Sequence, residues 1–312
     1  MDNSHYVARR MEIVDGNGVR RRTFATPGLD IWVDSRPLGR GGAGGDVHSI
    51  SMCGGGHVTR LALADVAGHG ESVDGFASVL RMLMRKYMNI LDPTRFATAL
   101  NRELTRDPQA GLFAAALLLT YLAPTRHLII CNAGHARPLR YSARRGSWDV
   151  LDLETARACP SLKCSRARYH LDRLANLPLG VLEPIEYEQF AVELEDGDVV
   201  VLYTDGVTES RDEAGHMLGE HGLLALVDRL GWDDRVGLGE RLVDAIDARR
   251  GQSAVTDDRT LIVIKRNRIP LPRHSQRRTA RALAKLIGRS SIGLTDRGLP
   301  NRVADPLVTL GR

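Results

Sequence analysis

Short apolar runs separated by turns dominate the hydrophobic pattern of this 312-residue chain. Runs of this length, bounded by glycine, proline and polar clusters, predict β-strands. Because the runs come in consecutive groups, the pattern favours an α+β layered fold over a regularly alternating βαβ sheet. The predicted strands cover residues 29–33, 61–66, 115–122, 127–131, 199–204 and 261–265.

Two zones have helical periodicity instead. Across residues 73–91, apolar side chains recur at spacings of three and four, and polar side chains occupy the other face. Residues 222–230 and 236–249 show the same spacing, and Gly251 is placed to end the second of these helices.

The pattern also divides the chain. Residues 1–27 are polar and predict an irregular N-terminal segment that ends at Pro27-Gly28. Residues 28–266 then form the predicted ordered domain, interrupted by an insertion at 154–176 that is rich in Arg and Ala. Residues 267–312 form a predicted basic C-terminal tail.

Composition excludes several classes of protein. Hydrophobic residues make up 43% of the chain and charged residues 26%, so a packed core is expected and wholesale disorder is not. The longest apolar run, 112–123, is shorter than the roughly 20 residues of a membrane-spanning helix. No secretory signal opens the chain, so we expect a cytoplasmic protein.

The cysteines agree with a reducing compartment. Of the four, only Cys159 and Cys164 are close in sequence, and no second Cys/His pair lies nearby. This pattern favours free thiols over a structural zinc site.

Charge is distributed unevenly. Residues 266–312 hold eleven Lys and Arg against two Asp, a net of +9, whereas the whole chain has +5 and the remainder therefore −4. We expect no nucleic-acid binding by the acidic body. Residues 277–288 could form a short basic helix that suits an acidic partner or a membrane surface, and the alternative is a solvated extension.

Several aspartates lie at the beginning or the end of a predicted apolar strand. A carboxylate there costs desolvation free energy unless it is paired or bound to a cation, so several such positions suggest one shared partner. Carboxylates completed by water suit Mg²⁺ or Mn²⁺, and two such ions about 4 Å apart would activate a bridging water for attack on phosphorus. The positions are Asp46, Asp65, Asp205, Asp257 and Asp258.

Each motif alone has a plainer interpretation, because Asp-Gly at a strand end is commonly a turn. Two other phosphate chemistries fit poorly. A haloacid-dehalogenase-type phosphatase needs an aspartate at position 203, where Tyr203 stands. A P-loop at residues 39–45 would need a following Gly-Lys-Ser/Thr, which the sequence lacks.

The motifs taken together, in this order, resemble the SpoIIE/RsbU-type branch of the PPM (PP2C-like) metal-dependent serine/threonine phosphatases. The resemblance covers residues 28–266. It implies a PP2C-like sandwich of two antiparallel β-sheets flanked by α-helices, with a di-metal site at one edge. The motifs are Gly-Gly-Asp (44–46), Ala-Asp-Val-Ala-Gly-His-Gly (64–70), Asn-Ala-Gly-His-Ala-Arg-Pro-Leu (132–139), Leu-Pro-Leu-Gly-Val (177–181), Leu-Tyr-Thr-Asp-Gly-Val-Thr-Glu (202–209) and Asp-Asp-Arg-Thr (257–260).

The resemblance also implies a ligand set for two Mn²⁺ or Mg²⁺ ions. Asp46 and Asp65 would hold the metals, with Asp65 as the bridging ligand and the backbone carbonyl of Val66 beside it. Asp205 and Asp257 would complete the shell of one ion, with Asp258 adjacent and assisting.

The sequence offers further candidate residues outside this ligand set. We interpret His135 and His69 as structural, with general-acid assistance as the alternative for His69. Many relatives carry an acidic residue at the position of Ser49, so one water-mediated metal contact is in doubt. Arg36 and Arg40 are candidates for orienting the phosphate.

In this branch the substrate is usually a phosphoserine or phosphothreonine on an anti-sigma-factor antagonist of the STAS type. The alternative is a non-catalytic module of the same fold that binds phosphoproteins. About 27 residues precede the domain, which is too few for a folded sensor. We therefore expect control by the tail, by a partner protein or by self-association as a homodimer.

Overall fold

The computed structural model describes residues 5–7, 12–38, 44–68, 71–106, 112–158, 162–164, 176–231 and 237–271. Strands and helices are numbered in chain order. The strands are β1 (His5–Val7), β2 (Glu12–Gly16), β3 (Arg20–Thr26), β4 (Leu29–Arg36), β5 (Val47–Cys53), β6 (Val58–Val66), β7 (Ala114–Leu122), β8 (His127–Ala133), β9 (Leu139–Ser142), β10 (Ser147–Val150), β11 (Leu162–Cys164), β12 (Gln189–Glu193), β13 (Val199–Tyr203) and β14 (Arg259–Arg266). The helices are α1 (Glu71–Tyr87), α2 (Pro93–Leu104), α3 (Leu153–Ala158), α4 (Asp205–Thr208), α5 (Gly219–Leu230) and α6 (Leu238–Arg250).

The strands form two sheets of seven. One has the order β1-β3-β4-β14-β13-β9-β10 and the other β11-β12-β8-β7-β6-β5-β2. Neighbouring strands are antiparallel, apart from the parallel pair of β1 and β3. The predicted sandwich of antiparallel sheets is therefore confirmed.

Three apolar layers hold the sandwich together. The inner faces of both sheets meet in a core that includes Ile31, Leu63 and Ile262. Helices α1 and α2 cover the outer face of the second sheet through residues such as Leu80 and Leu100. Helices α5 and α6 cover the outer face of the first sheet. The burial of one apolar face by each sheet and helix produces this four-layer arrangement.

Helical periodicity predicted α1, α5 and α6 but not the short helices α3 and α4. Helix α1 overlaps the zone predicted at 73–91 but begins at Glu71 and ends at Tyr87. Helices α5 and α6 match the second zone, with Gly251 at the end of α6. The sequence analysis missed α2. Its N-terminal signal is Asp92-Pro93: the Asp92 carboxylate accepts the backbone N–H groups of Thr94 and Arg95 at 3.0 and 3.3 Å.

The prediction that residues 1–27 are irregular is wrong for the described part of that segment. Strand β3 pairs with β4 over its whole length, and β2 pairs with β5 at the edge of the other sheet. Phe24 is buried in the inner core. Three consecutive arginines, Arg20 to Arg22, make this strand polar in sequence, so the apolar pattern did not predict it. In the structure, Arg21 forms an ion pair with Asp34 across the sheet at 2.9 Å.

The C-terminal end of the domain lies slightly beyond the predicted residue 266. The buried side chain of Asn267 donates hydrogen bonds to the Thr26 carbonyl at 3.1 Å and to the Asp30 carboxylate at 2.7 Å. These bonds tie the start of the predicted tail to the β3–β4 turn. Residues 272–312, which hold most of the basic charge, lie outside the described residues.

The insertion predicted at 154–176 is described only in part. It contains most of α3 and the short strand β11, which pairs with β12. Cys159 lies outside the described residues, whereas Cys53 and Cys131 are free thiols, as predicted. Among the helices of the described residues, none combines the length and the apolar character needed to cross a bilayer.

Candidate metal centre

Four of the predicted aspartates meet at one edge of the sandwich. Asp46 directly precedes β5, Asp65 is near the end of β6, Asp205 opens α4 after β13, and Asp257 directly precedes Asp258 and β14. Asp65 is hydrogen-bonded to Asp205 and lies within the electrostatic field of Asp46 and Asp257. The two sheets therefore each contribute carboxylates to one cluster.

Burial makes the ionised forms of Asp46, Asp65 and Asp257 costly. Desolvation, reinforced by Asp258 and Asp205, raises the pKa of Asp46 to about 8. Desolvation, reinforced by Asp46 and Asp205, raises the pKa of Asp65 to about 10. Desolvation also raises the pKa of Asp257. A bound dication would favour the ionised forms and relieve this cost.

Asp46 supplies the observation that fits a cation most directly. Its side chain is only 3% exposed, and one carboxylate oxygen, Oδ2, accepts the hydroxyl of Thr204 at 2.8 Å. The other oxygen, Oδ1, is buried and has no hydrogen-bond partner within the described chain. A buried carboxylate oxygen without a donor is a costly arrangement, which an oxygen-seeking cation would satisfy.

The Asp258 carboxylate holds the backbone around Asp46. The Asp258 carboxylate accepts the backbone N–H groups of Leu38 at 2.6 Å and Gly45 at 2.5 Å. A methyl group on Gly44 would lie 2.5 Å from this carboxylate, so only glycine fits there. Asp258 thus positions the loop that carries Asp46. In the structure, its carboxylate binds backbone N–H groups next to the proposed metal ligands.

The carbonyl of Val66 lies next to the same loop. A methyl group on Gly45 would be 3.3 Å from the Val66 oxygen. Asn17 holds the loop from the other side, because its carbonyl accepts the Gly44 N–H at 2.7 Å. The N-terminal strands therefore support the metal loop, although no sequence motif marked Asn17.

The carboxylates are not yet arranged as a closed ligand shell. Within the described residues, no group of three or more His, Cys, Asp or Glu side chains surrounds a common point at ligand distances. The hydrogen bond between Asp65 and Asp205 is one of the causes that raise the pKa of Asp65. Side-chain rotations would be needed to gather the carboxylates around an ion.

Two threonines that the sequence analysis did not single out organise the cluster. Thr204 is fully buried, donates to Asp46 and accepts the backbone N–H of Thr260 at 2.9 Å. Thr260 is also buried and shares a hydroxyl contact with Ser35 at 3.0 Å. Both threonines lie within the quoted motifs, next to Asp205 and two residues after Asp258, and this adjacency was the available signal.

Of the candidates His135, His69 and Arg40, the structure describes only His135. His135 is buried at the end of β8, close enough to Asp205 to feel its charge, and burial lowers the His135 pKa to about 4. The Asn132 side chain closes the turn around it, accepting the His135 N–H at 2.8 Å and donating to its carbonyl at 2.9 Å. This geometry agrees with the structural interpretation of His135. His69 and Arg40 lie outside the described residues.

Arg36 and Ser49 do not contact the carboxylate cluster. The Arg36 guanidinium is bound to Asp34 and Asp247, both at 3.0 Å. Ser49 lies in β5 opposite Ala62 on one side and Asp15 on the other. Asp15 in turn binds Arg85 of α1 at 2.7 Å.

Comparisons with known proteins agree with this fold. The sequence profile of the family described as Stage II sporulation protein E (SpoIIE) matches residues 55–267. Phosphoserine phosphatase RsbU of Bacillus subtilis (strain 168) is 26% identical over 207 residues, which are 66% of this chain and 55% of RsbU. The chain thus spans about half the length of that relative.

Solved structures share the fold at lower identity. The RsbU and RsbW domains of Rv1364c from Mycobacterium tuberculosis superpose with a TM-score of 0.61 at 21% identity, covering 88% of this chain and 72% of that one. The PP2C phosphatase domain of SpoIIE from Bacillus subtilis, with a fragment of its regulatory domain, gives 0.59 at 15% identity, covering 83% of this chain and 65% of that one.

Proposed function

The chain belongs to the SpoIIE family, and from that membership we propose that it is a metal-dependent protein serine/threonine phosphatase. The observation that carries the proposal is the convergence of Asp46, Asp65, Asp205 and Asp257 at one edge of the sandwich, with one buried carboxylate oxygen left without a donor. Mn²⁺ or Mg²⁺ suits such all-oxygen donors.

The proposed ligands are the four aspartates together with the Val66 carbonyl. When bound, two dications would supply Lewis acidity towards the phosphate and make a water nucleophilic near neutral pH. The chain's own residues hold the geometry: Thr204 fixes the orientation of Asp46, and Asp258 fixes the backbone of its loop. Asp205 is exposed, so a phosphorylated residue can reach it from solvent.

The proposed substrate is a phosphoserine or phosphothreonine on a regulatory protein, in particular an anti-sigma-factor antagonist of the STAS type. Support comes from the likeness to RsbU, whose name describes a phosphoserine phosphatase. Rv1364c, which shares the fold, contains an RsbU domain and an RsbW domain. We also propose a cytoplasmic location, in keeping with the free thiols of Cys53 and Cys131.

Hydrolysis of p-nitrophenyl phosphate tests the activity. We expect turnover with Mn²⁺ or Mg²⁺ and its loss in excess EDTA. Absence of metal-dependent turnover, from protein whose circular dichroism shows a folded α+β domain, would favour the non-catalytic phosphoprotein-binding module. Binding of a phosphorylated STAS protein without hydrolysis would identify that module directly.

Truncation after Leu271 tests whether the basic tail takes part in the chemistry. We expect the shortened protein to keep its p-nitrophenyl phosphate turnover, because the described domain, including the Asn267 hydrogen bonds, stays intact. Binding of the full chain to an acidic partner or to anionic vesicles should weaken on truncation and with added salt.

A folded but inactive truncated protein would contradict this prediction. Truncation after Arg266 provides a comparison, since it also removes Asn267 and its bonds to Thr26 and Asp30. We expect that shorter protein to unfold at a lower temperature than the one ending at Leu271, because each lost buried hydrogen bond costs about 1 kcal/mol.

A further inference from the structure

A small cavity opens beside the carboxylate cluster. It has a volume of about 220 Å³, and its lining includes Asp257 and Gly206, the residue after Asp205. The end of β4, the C-terminal end of α6 and the loop at residues 254–257 form its walls. Small-molecule sites usually measure about 300–1,000 Å³, so this cavity suits one amino-acid side chain better than a nucleotide.

Three arginines line the cavity. Asp247 accepts hydrogen bonds from two of them, from Arg36 Nη1 at 3.0 Å and from Arg259 Nη1 at 2.7 Å. Two guanidinium groups therefore share one carboxylate within the wall, although Arg36 also contacts Asp34. The lining therefore contains three arginines but only two carboxylates, those of Asp247 and Asp257.

Arg250 is the cation that remains available. Its Nη1 donates to the Ser253 carbonyl at 2.9 Å, and it has no carboxylate partner in the part of the chain that the structure describes. The buried hydroxyl of Ser210, which also lines the cavity, has no hydrogen-bond partner there either. A guanidinium fork and a hydroxyl together recognise a carboxylate.

The rim of the cavity is apolar. Leu38 and Val255 are 46% and 50% exposed, which is high for such side chains in a folded domain. They could cover the methylene groups of an incoming glutamate while its carboxylate reaches Arg250. The scissile phosphate belongs at the aspartate cluster, so a neighbouring residue of the same peptide, about 3.3 Å further along per residue, would reach this cavity.

We propose that this cavity is a substrate subsite for an acidic side chain next to the phosphorylated residue, and that Arg250 determines this specificity. The proposal rests on the phosphatase activity proposed above and narrows its substrate class to phosphopeptides with acidic neighbours. Arg36 and Arg259 position the wall through Asp247, and Arg250 binds the acidic side chain.

The test compares peptides within each variant. Two phosphoserine peptides of equal length carry either glutamate or glutamine at the two positions on each side of the phosphoserine, and kcat/KM is measured for each with Mn²⁺. We expect the wild type to prefer the glutamate peptide by about tenfold, since a hydrogen bond to a charged group at a half-exposed site is worth roughly that factor.

In Arg250→Glu the preference should disappear, and a third peptide with lysine at the same positions should become the better substrate. Arg250→Gln, a milder change, should reduce the preference to near unity. Arg95→Glu, an equal charge reversal on the exposed first turn of α2, should keep the wild-type ratio. The wild-type preference should shrink in high salt.

The outcomes separate the two proposals. If the wild type hydrolyses none of the peptides with any metal, the proposed function fails. If it hydrolyses them without preferring glutamate, or if both Arg250 variants keep that preference, the enzyme stands and the subsite is wrong.

Discussion

Replacing Asp65 or Asp205 by asparagine is expected to lower metal-dependent phosphate hydrolysis by a factor of about a thousand or more. Each change removes a carboxylate from a cluster in which Asp65 is hydrogen-bonded to Asp205 and is close enough to Asp46 and Asp257 for their charges to raise its pKa. Metal ions contribute several kcal/mol to stabilising the transition state, and each 1.36 kcal/mol is a factor of ten in rate. Turnover of p-nitrophenyl phosphate with saturating Mn²⁺ measures the effect.

The fold should survive the same substitutions. Burial raises the pKa of Asp65 to about 10, so an ionised carboxylate at this position opposes folding when no cation is bound. Asparagine has the same shape without that cost. We therefore expect the unfolding temperature in EDTA to be unchanged or higher for Asp65→Asn, together with a smaller rise when Mn²⁺ is added.

Asp228→Asn on the exposed surface of α5 is the matched control, and it should behave as the wild type does. Near-normal turnover in Asp65→Asn or Asp205→Asn, with unchanged circular dichroism, would exclude these carboxylates as ligands. An equal loss in the control would mean that the preparation, rather than the cluster, is responsible.

The sequence pattern was informative where one physical signal dominated. Continuous apolar runs predicted the central strands β6, β7, β8 and β13, because strands buried on both faces are apolar at nearly every position. Helical spacing likewise predicted α1. The same signal failed at β3, where Arg21 is satisfied by an ion pair across the sheet that no local pattern contains.

The candidate site was predictable as a set of positions but not as a set of roles. Asp257 and Asp258 are adjacent in the loop that precedes β14, yet their side chains have different partners. Asp257 joins the cluster, while Asp258 turns to the N–H groups of Leu38 and Gly45. Which of the two carboxylates joins the cluster depends on contacts with a loop more than 200 residues away in sequence. Composition and spacing do not reveal such contacts.

Thr204→Val is expected to weaken Mn²⁺ binding by about ten- to a hundredfold. Thr204 donates its hydroxyl to Asp46 at 2.8 Å, and residues that orient metal ligands typically change metal affinity by that factor. Valine preserves the shape of the side chain but leaves the buried Thr260 N–H without its acceptor. The free energy of unfolding should therefore fall by about 1–3 kcal/mol. Calorimetric titration with Mn²⁺ and urea denaturation measure the two effects separately.

Thr204→Ser distinguishes orientation of Asp46 from simple packing, because serine keeps the hydroxyl and loses only a methyl group. It should retain metal affinity near that of the wild type while losing some stability. Thr98→Val, which removes an exposed hydroxyl from α2, should change neither property. If Thr204→Val binds Mn²⁺ as tightly as Thr204→Ser does, the hydroxyl does not position Asp46. The orientation of Asp46 would then depend on other contacts, such as those of Asp258 with the backbone of the loop that carries Asp46.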